Sequence, residues 1–429
     1  MQIFWQNTVA RRLLDRRRKK GAPHMHPNNI NAQRAVSIEI LLFLAYCFFS
    51  ASWMVGSVVT PDIISDFHMV RLPASVNNAI SLAKIVGNFV AAWILVKLGP
   101  KKTVTFACIL ICTVLLAAFS PNLSVFVVTR FLLGFGGAVL MITMTPYVVY
   151  LFEPGRHSLW IGVNNAGPNT GNLIALLSIT AVRAWLGNWR YVIFFYGAFS
   201  LVFLLFWLFV GKDYPIAPKK KEEGPIYRYR DGLREPFLYE FLFTMTGRLV
   251  MYTVLLYLVP LNPTLVVDGQ FISLMIALTG IPGTIIGIIL AKKLKRQMSL
   301  FRFSGIAQSI LFFAVILIPH APTVTICSVL LGFVIFISTP SLFTLPTKLP
   351  GATPQKVAVI LTLYWSMAYT LQMIIYAFVV RLVNFKTWHV AMTCTAVYSL
   401  TFLVGTFLLP DFDKPRGREE SQPTEGEGP

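Results

Sequence analysis

The chain has 429 residues, 55% of them hydrophobic and 13% charged, with a mean hydropathy of +0.66 and a formal net charge of +19. A soluble globular chain carries about a quarter charged residues, so this composition excludes that class and points to a membrane protein that crosses the bilayer many times. The positive charge is split among short loops instead of lying on one face, which argues against nucleic acid as a partner.

Residues 1–36 form a basic arm with Arg11, Arg12, Arg16, Arg17, Arg18, Lys19 and Lys20, and no short apolar core with a cleavage site follows it. The arm is expected to lie on anionic lipid headgroups. Twelve apolar segments follow, each near the roughly 20 residues a spanning helix needs. The first six run about 37–65, 73–97, 102–119, 123–152, 157–183 and 189–211. A polar stretch at 212–235 separates them from 236–263, 270–292, 299–319, 323–348, 354–382 and 387–410. The organisation read from this is a six-helix bundle at 37–211, a linker at 212–235 and a second six-helix bundle at 236–410. A tail at 411–429, rich in Glu, Gly and Pro, is expected to be disordered. Lys and Arg concentrate in alternate loops in both halves, which predicts that both termini are cytoplasmic. The five cysteines all fall in apolar segments without metal-ligand spacing, so no metal or other cofactor is expected.

The halves resemble each other. Ile80, Leu82, Ile85 and Gly87 recur as Ile276, Leu278, Ile281 and Gly283 at an offset of 196, as do Lys97-Leu98 in Lys293-Leu294. Leu132-Leu133-Gly134-Phe135 recurs as Leu330-Leu331-Gly332-Phe333 at an offset of 198. Paired repeats of six helices build one class of secondary transporter, with a central site opened alternately to each side.

Three cations lie well inside predicted spans, away from the loops, Lys84, Arg130 and Arg248, with no acid at comparable depth. Each costs about 2.5–3.5 kcal/mol at a bilayer centre, so each must face a watery cavity or a partner. An anionic substrate is one partner that fits. Lys84 shares a helix face with Asn77, Ser81 and Asn88. Arg130 shares one with Gly134 and Gly137, where substrate contact and bonding to carbonyls of the first helix are both open. Arg248 lies with Thr244 and Tyr252, and its paired donors suit a carboxylate or phosphate. The eleventh span carries Thr362, Ser366, Tyr369 and Gln372 with Trp365 beside them. The fifth carries Asn164, Asn165, Asn169 and Asn172 around Gly167-Pro168, where a break would free backbone groups for substrate. Asp62, Asp66, Glu39 and Glu240 all read as near helix ends, and Asp62 is the best remaining candidate for a proton carrier.

These features, over about 37–410, resemble the major facilitator superfamily. The loop Ala92 to Lys102 resembles the family's G-x-L-A-D-R-x-G-R-K signature at Lys97, Gly99, Lys101 and Lys102, with Val96 at the acidic position and Lys293 in the repeat's counterpart. Arg130 to Gly137 resembles the R-x-x-x-G-x-G pattern of the fourth helix, and Gly167-Pro168 with Gly171 resembles an antiporter element. The resemblance implies an all-α membrane fold of twelve transmembrane helices in two pseudo-symmetric bundles. It implies gating roles for Lys97, Gly99, Lys101, Gly134, Gly167, Pro168, Gly171 and Lys293. It also implies that the gate latch made by the family's acid is missing at Val96. The leading expectation is a monomeric secondary transporter of a small anion, working by exchange, in a bacterial plasma membrane. Efflux of drugs or a metal-chelating metabolite and a non-transporting sensor are the alternatives. A membrane enzyme fits least, since no nucleophile has an adjacent base and no nucleotide loop is present.

Overall fold

The structure, a computed structural model, describes residues 32–213, 227–294, 296–351 and 354–410. The basic arm before residue 32, most of the linker and the acidic tail lie outside these. Residues 32–36, assigned to the arm from sequence, form the first turn of a helix instead.

Twelve long helices stand among the described residues. They are α1 (Ala32–Val58), α2 (Ser75–Leu98), α3 (Pro100–Ile111, prolonged by the turn Val114–Ala117), α4 (Leu123–Leu151), α5 (Pro154–Leu186) and α6 (Trp189–Val210), then α7 (Pro236–Tyr257), α8 (Gly269–Lys293), α9 (Gln297–Leu317), α10 (Ala321–Ile337), α11 (Pro354–Phe385) and α12 (Trp388–Leu408). Among the described residues, ten of them contain a window long and apolar enough to cross a bilayer. The polar stripes read from sequence fall on α2 and α5, and a polar face on a spanning helix meets protein or water rather than lipid. Because the number of helices is even, α1 starts and α12 ends on one side, here called the terminal face; the other is the distal face.

Each half packs its own core. Tyr46, Phe49, Leu133, Leu140 and Trp207 anchor the first, and Phe241, Phe301, Tyr364 and Phe402 stand in the second. The internal repeat is visible in the packing. Gly134 of α4 presses on Ile80 and Ala83 of α2, and Gly332 of α10 presses on Ile276 and Thr279 of α8, at the same sequence offsets. A Cβ at either glycine would meet backbone or Cβ atoms of the neighbour, so small residues here permit the close helix approach that lipid cannot drive.

Caps define several helix ends. Asn122 and Asp268 accept from backbone N–H groups of Val125 and Phe271, each at 3.0 Å, at the starts of α4 and α8. Gly99 joins α2 to α3 with φ of 82°, a left-handed conformation that a side chain would strain.

Candidate functional site

The two halves meet along a seam whose contacts begin at mid-height and continue to the distal face. Tyr252 of α7 donates to Asn169 of α5 at 2.8 Å, and Ser81 of α2 donates to Gln372 of α11 at 2.9 Å. Asn78 donates to the Met373 carbonyl at 3.0 Å. At the distal edge Asn384 grips the backbone of Leu72 twice: it accepts from the Leu72 N–H at 2.8 Å and donates to the Leu72 carbonyl at 3.0 Å. Arg71 lies 4.2 Å over the ring of Phe385 beside it. Among the described residues, the side-chain hydrogen bonds between halves all lie from mid-height to the distal edge, so the distal side is shut. Toward the terminal face Trp93 and Val96 of α2 are each 60% exposed.

Lys84 sits in this seam. By helical rise it is about 14 Å from the distal start of α2. Its ammonium lies 4.1 Å from the ring centre of Trp53 on α1 and 5.4 Å from that of Tyr369 on α11. Trp53 in turn stacks on Tyr257 of α7 at 5.0 Å, and Tyr369 stacks on Trp365 at 5.4 Å. Both halves therefore build an aromatic box around one cation. Asn77 accepts from the Trp53 indole N–H at 2.9 Å and fixes that ring. Among the described residues no carboxylate pairs with Lys84, and its ammonium makes no hydrogen bond. A stacked cation of this kind gains about 0.5–2 kcal/mol from the rings, less than its full desolvation cost. Asn88 lies one turn nearer the terminal face, half-buried.

Of the two readings open for Arg130, the structure shows the bonding to carbonyls of the first helix, and Arg248 lies away from the expected anion contact. Arg130 is buried inside the first half and does not line the seam. It donates to the carbonyls of Ser52 at 2.9 Å, Trp53 at 2.8 Å and Val76 at 3.3 Å, tying α4 to α1 and α2. Arg248 is buried inside the second half. It donates to the hydroxyls of Ser338 at 2.8 Å and Thr339 at 2.5 Å, where α10 ends, and lies 5.0 Å from the ring of Phe402. Both direct donors to neutral oxygens of their own half, Arg130 through all three of its nitrogens and Arg248 through its two terminal ones. The physical reason is that a guanidinium can offset burial with several carbonyl or hydroxyl bonds, which a lone ammonium on this face does not do.

Three further placements correct the sequence reading. The fifth helix runs unbroken through Pro168, and the Pro168 carbonyl accepts from the Ser50 hydroxyl at 3.0 Å. Gly167 and Gly171 bring α5 close to Tyr46 and Cys47 of α1 instead of opening the backbone. Asp62, the proposed proton carrier, pairs with Arg183 at 2.5 Å near the distal face, with 29% of its side chain exposed. Asp66 pairs similarly with Arg190.

The carboxylate that sequence reasoning missed is Glu39. It is fully buried in α1, about 10 Å from the start of that helix, and Asn164 of α5 donates to its Oε1 at 2.5 Å. Its Oε2 and the Asn164 Oδ1 are both buried acceptors without a hydrogen-bond partner. Asn164 and Asn165 also line a small recess with Tyr46, Met141, Met144, Thr145 and Pro168. The signal was present in sequence as Glu39 sharing a span with no basic residue beside it. Its proximity to the segment's start hid its depth.

At the terminal face, Lys97 is exposed over Trp93 at 4.7 Å, and Lys293 is exposed at the end of α8. With Val96 at the family's acidic position, a carboxylate still reaches this loop: Asp213, just after α6, accepts from the Lys101 N–H at 3.1 Å. Lys101 also donates from its ammonium to the Leu208 carbonyl at 3.2 Å. The loop is thus clamped within its own half and not to the other.

Two six-helix bundles meeting along one seam are the organisation of one class of secondary transporter. Residues 41–375 match the Major Facilitator Superfamily, and the chain belongs to that family of multi-pass membrane transporters. An uncharacterized protein of Campylobacter jejuni subsp. jejuni is 31% identical over 191 residues, covering 44% of this chain and 58% of that one. Human sialin is 26% identical over 144 residues, covering 32% of this chain and 28% of sialin. These matches span less than two thirds of either relative. Among solved structures, a bacterial homolog of the human lysosomal transporter Spinster, inward-facing and unoccupied, superposes with a TM-score of 0.65 at 13% identity, over 90% of this chain and 99% of that one. A D-xylose-proton symporter superposes with a TM-score of 0.64 at 15% identity, over 88% and 99%. At these identities the likeness concerns the fold.

Proposed function

We propose that the chain carries a small organic or inorganic anion across the membrane by alternating access, exchanging one anion for another, with Lys84 as the charged contact. The observation that supports this most is the state of Lys84: a cation in the seam between halves, boxed by Trp53 and Tyr369 and matched by no carboxylate among the described residues. An entering anion supplies the missing charge, and the rings leave one side of the ammonium for it. Asn88 and the recess around Asn165 offer polar contacts on the open side. Taking the basic terminal face as cytoplasmic gives a carrier open to the cytoplasm, in the plasma membrane of a bacterium. The test is counterflow of labelled phosphate, lactate and succinate in liposomes, comparing wild type with Lys84→Ala and Lys84→Arg. The reading expects at least one of these anions to move and Lys84→Ala to stop it. Dye movement without anion movement, or full anion flux in Lys84→Ala, would sink it.

A second mode of coupling has one specific observation in its favour. Glu39 Oε2 and Asn164 Oδ1 both lack a donor, and a single proton on Glu39 would supply one. That favours uptake of the anion with a proton over exchange. Glu39→Gln, whose amide can donate in the proton's place, separates the modes. In an exchanger it leaves counterflow unaltered, and neither protein responds to an imposed pH gradient; in a proton-coupled carrier it keeps counterflow and removes the response to that gradient.

A further inference from the structure

The end of the linker does not simply trail along the surface. Its one-turn helix, Tyr229–Gly232, is seated between the two halves on the open, terminal side. On one flank Tyr229 meets Phe89 of α2 edge-on, ring centres 6.3 Å apart. On the other, Gly232 lies so close to α11 that a Cβ there would come within 2.8 Å of both Val359 and Leu363. The seat is fastened from below. Glu235 pairs with Lys356 of α11 at 2.8 Å, the Tyr227 hydroxyl donates to Glu235 at 3.3 Å, and the Lys356 ammonium lies 5.8 Å from the Tyr227 ring. Burial, with the Glu235 charge beside it, pushes the Tyr227 phenol up to about 12, so it remains a donor at neutral pH.

The position matters because of what α2 and α11 do at the other end. In their distal halves these same helices touch directly, through Ser81 with Gln372 and Asn78 with Met373. A carrier that turns over must trade that distal contact for the equivalent one between their terminal halves. Phe89 is about 14 Å from the terminal end of α2, and Val359 and Leu363 about 8–14 Å from that of α11. That is the stretch where the closing contact has to form, and Tyr229–Gly232 occupies it.

We propose that this linker turn is a wedge, part of the chain itself, that props α2 and α11 apart on the terminal side and must leave its seat before the carrier can close there. The inference requires alternating access but not the identity of the cargo, so it stands or falls independently of the anion reading. In it, Tyr229 and Gly232 are positioning residues that set the balance between the two states.

The test uses the full chain with its five cysteines replaced and spin labels at Pro121→Cys and Ala321→Cys, on the distal ends beside α4 and α10. Gly232→Leu cannot seat against Val359 and Leu363, and Tyr229→Ala removes the contact with Phe89 without disturbing a core, since Tyr229 is half exposed. Either release is expected to raise the distal-open, long-distance population at least threefold, without any substrate present. Thermal unfolding identifies a variant that has failed to fold, and the other then carries the test. Unchanged distance distributions in a folded variant, or a shift to shorter distal distances, would overturn the wedge.

Discussion

Replacing Asn384 by Ala should open the distal side of this carrier. The side-chain amide of Asn384 holds both backbone groups of Leu72, one as acceptor at 2.8 Å and one as donor at 3.0 Å, across the join between the halves. Both groups reach water once the halves separate, so the bonds stabilise the shut state by their net worth only, about 0.5–1.5 kcal/mol each. Losing both removes about 1–3 kcal/mol, which shifts the balance of states roughly 5- to 150-fold. Asn384→Asp should fall between wild type and Asn384→Ala, because it keeps an acceptor for the Leu72 N–H and loses the donor to its carbonyl. Pulsed electron resonance between labels at Pro121→Cys and Ala321→Cys reads the separation directly. The contact of Arg71 with Phe385 survives in both variants and sets the remaining closure. Identical distance distributions in wild type and Asn384→Ala would refute the reasoning, and so would a larger opening in Asn384→Asp than in Asn384→Ala.

Other consequences separate architecture from transport. Arg130→Ala strips three backbone carbonyls of their donor and leaves a void between α1, α2 and α4, so it should cost about 3 kcal/mol of stability and lower the melting temperature measured in detergent. Lys84→Ala should leave that melting temperature within a degree or two of wild type while reducing anion counterflow about 10- to 150-fold, the worth of one charged contact. Gly171→Val would drive a side chain into the Cys47 carbonyl and Ser50 and should destabilise by about 1–3 kcal/mol in thermal unfolding. Asp213→Ala should free the Lys101 end of α3 and speed hydrogen exchange at Lys101 and Lys102, with little change elsewhere.

Much of the architecture could be read from residue order because bilayer physics leaves few options: long apolar runs must be helices, and charge in alternate loops sets their sense. The repeat was readable too, since Gly134 and Gly332 keep the same packing partners at the same offsets. The site was only half legible. Of the stripe Asn77, Ser81, Lys84 and Asn88, Ser81 and Lys84 meet Gln372 and Tyr369 of the second half, because a periodic polar face on a spanning helix has to meet protein or water. Periodicity gives a face but not the neighbour it meets. Arg130 and Arg248 show that limit: each has a definable face, and in each case the face turns into its own half, toward oxygens such as the Trp53 carbonyl and the Ser338 hydroxyl that no spacing rule links to it. Glu39 failed for another reason. Counting residues from the start of an apolar run places it near the surface, whereas α1 begins earlier, at Ala32, and α5 covers it. The clasp between Asn384 and Leu72 joins positions 312 apart through main-chain atoms, which leaves no trace in side-chain pattern.

The enclosure of the two guanidinium groups has an electrical consequence. Neutral oxygens can orient toward Arg130 and Arg248 and weaken their fields, but they bring no opposite charge, so each half keeps a fixed positive centre walled in by low-dielectric protein. In a carrier of anions, as proposed, such centres would act as the immobile charges of an ion-exchange resin do, favouring one sign of solute without ever touching it.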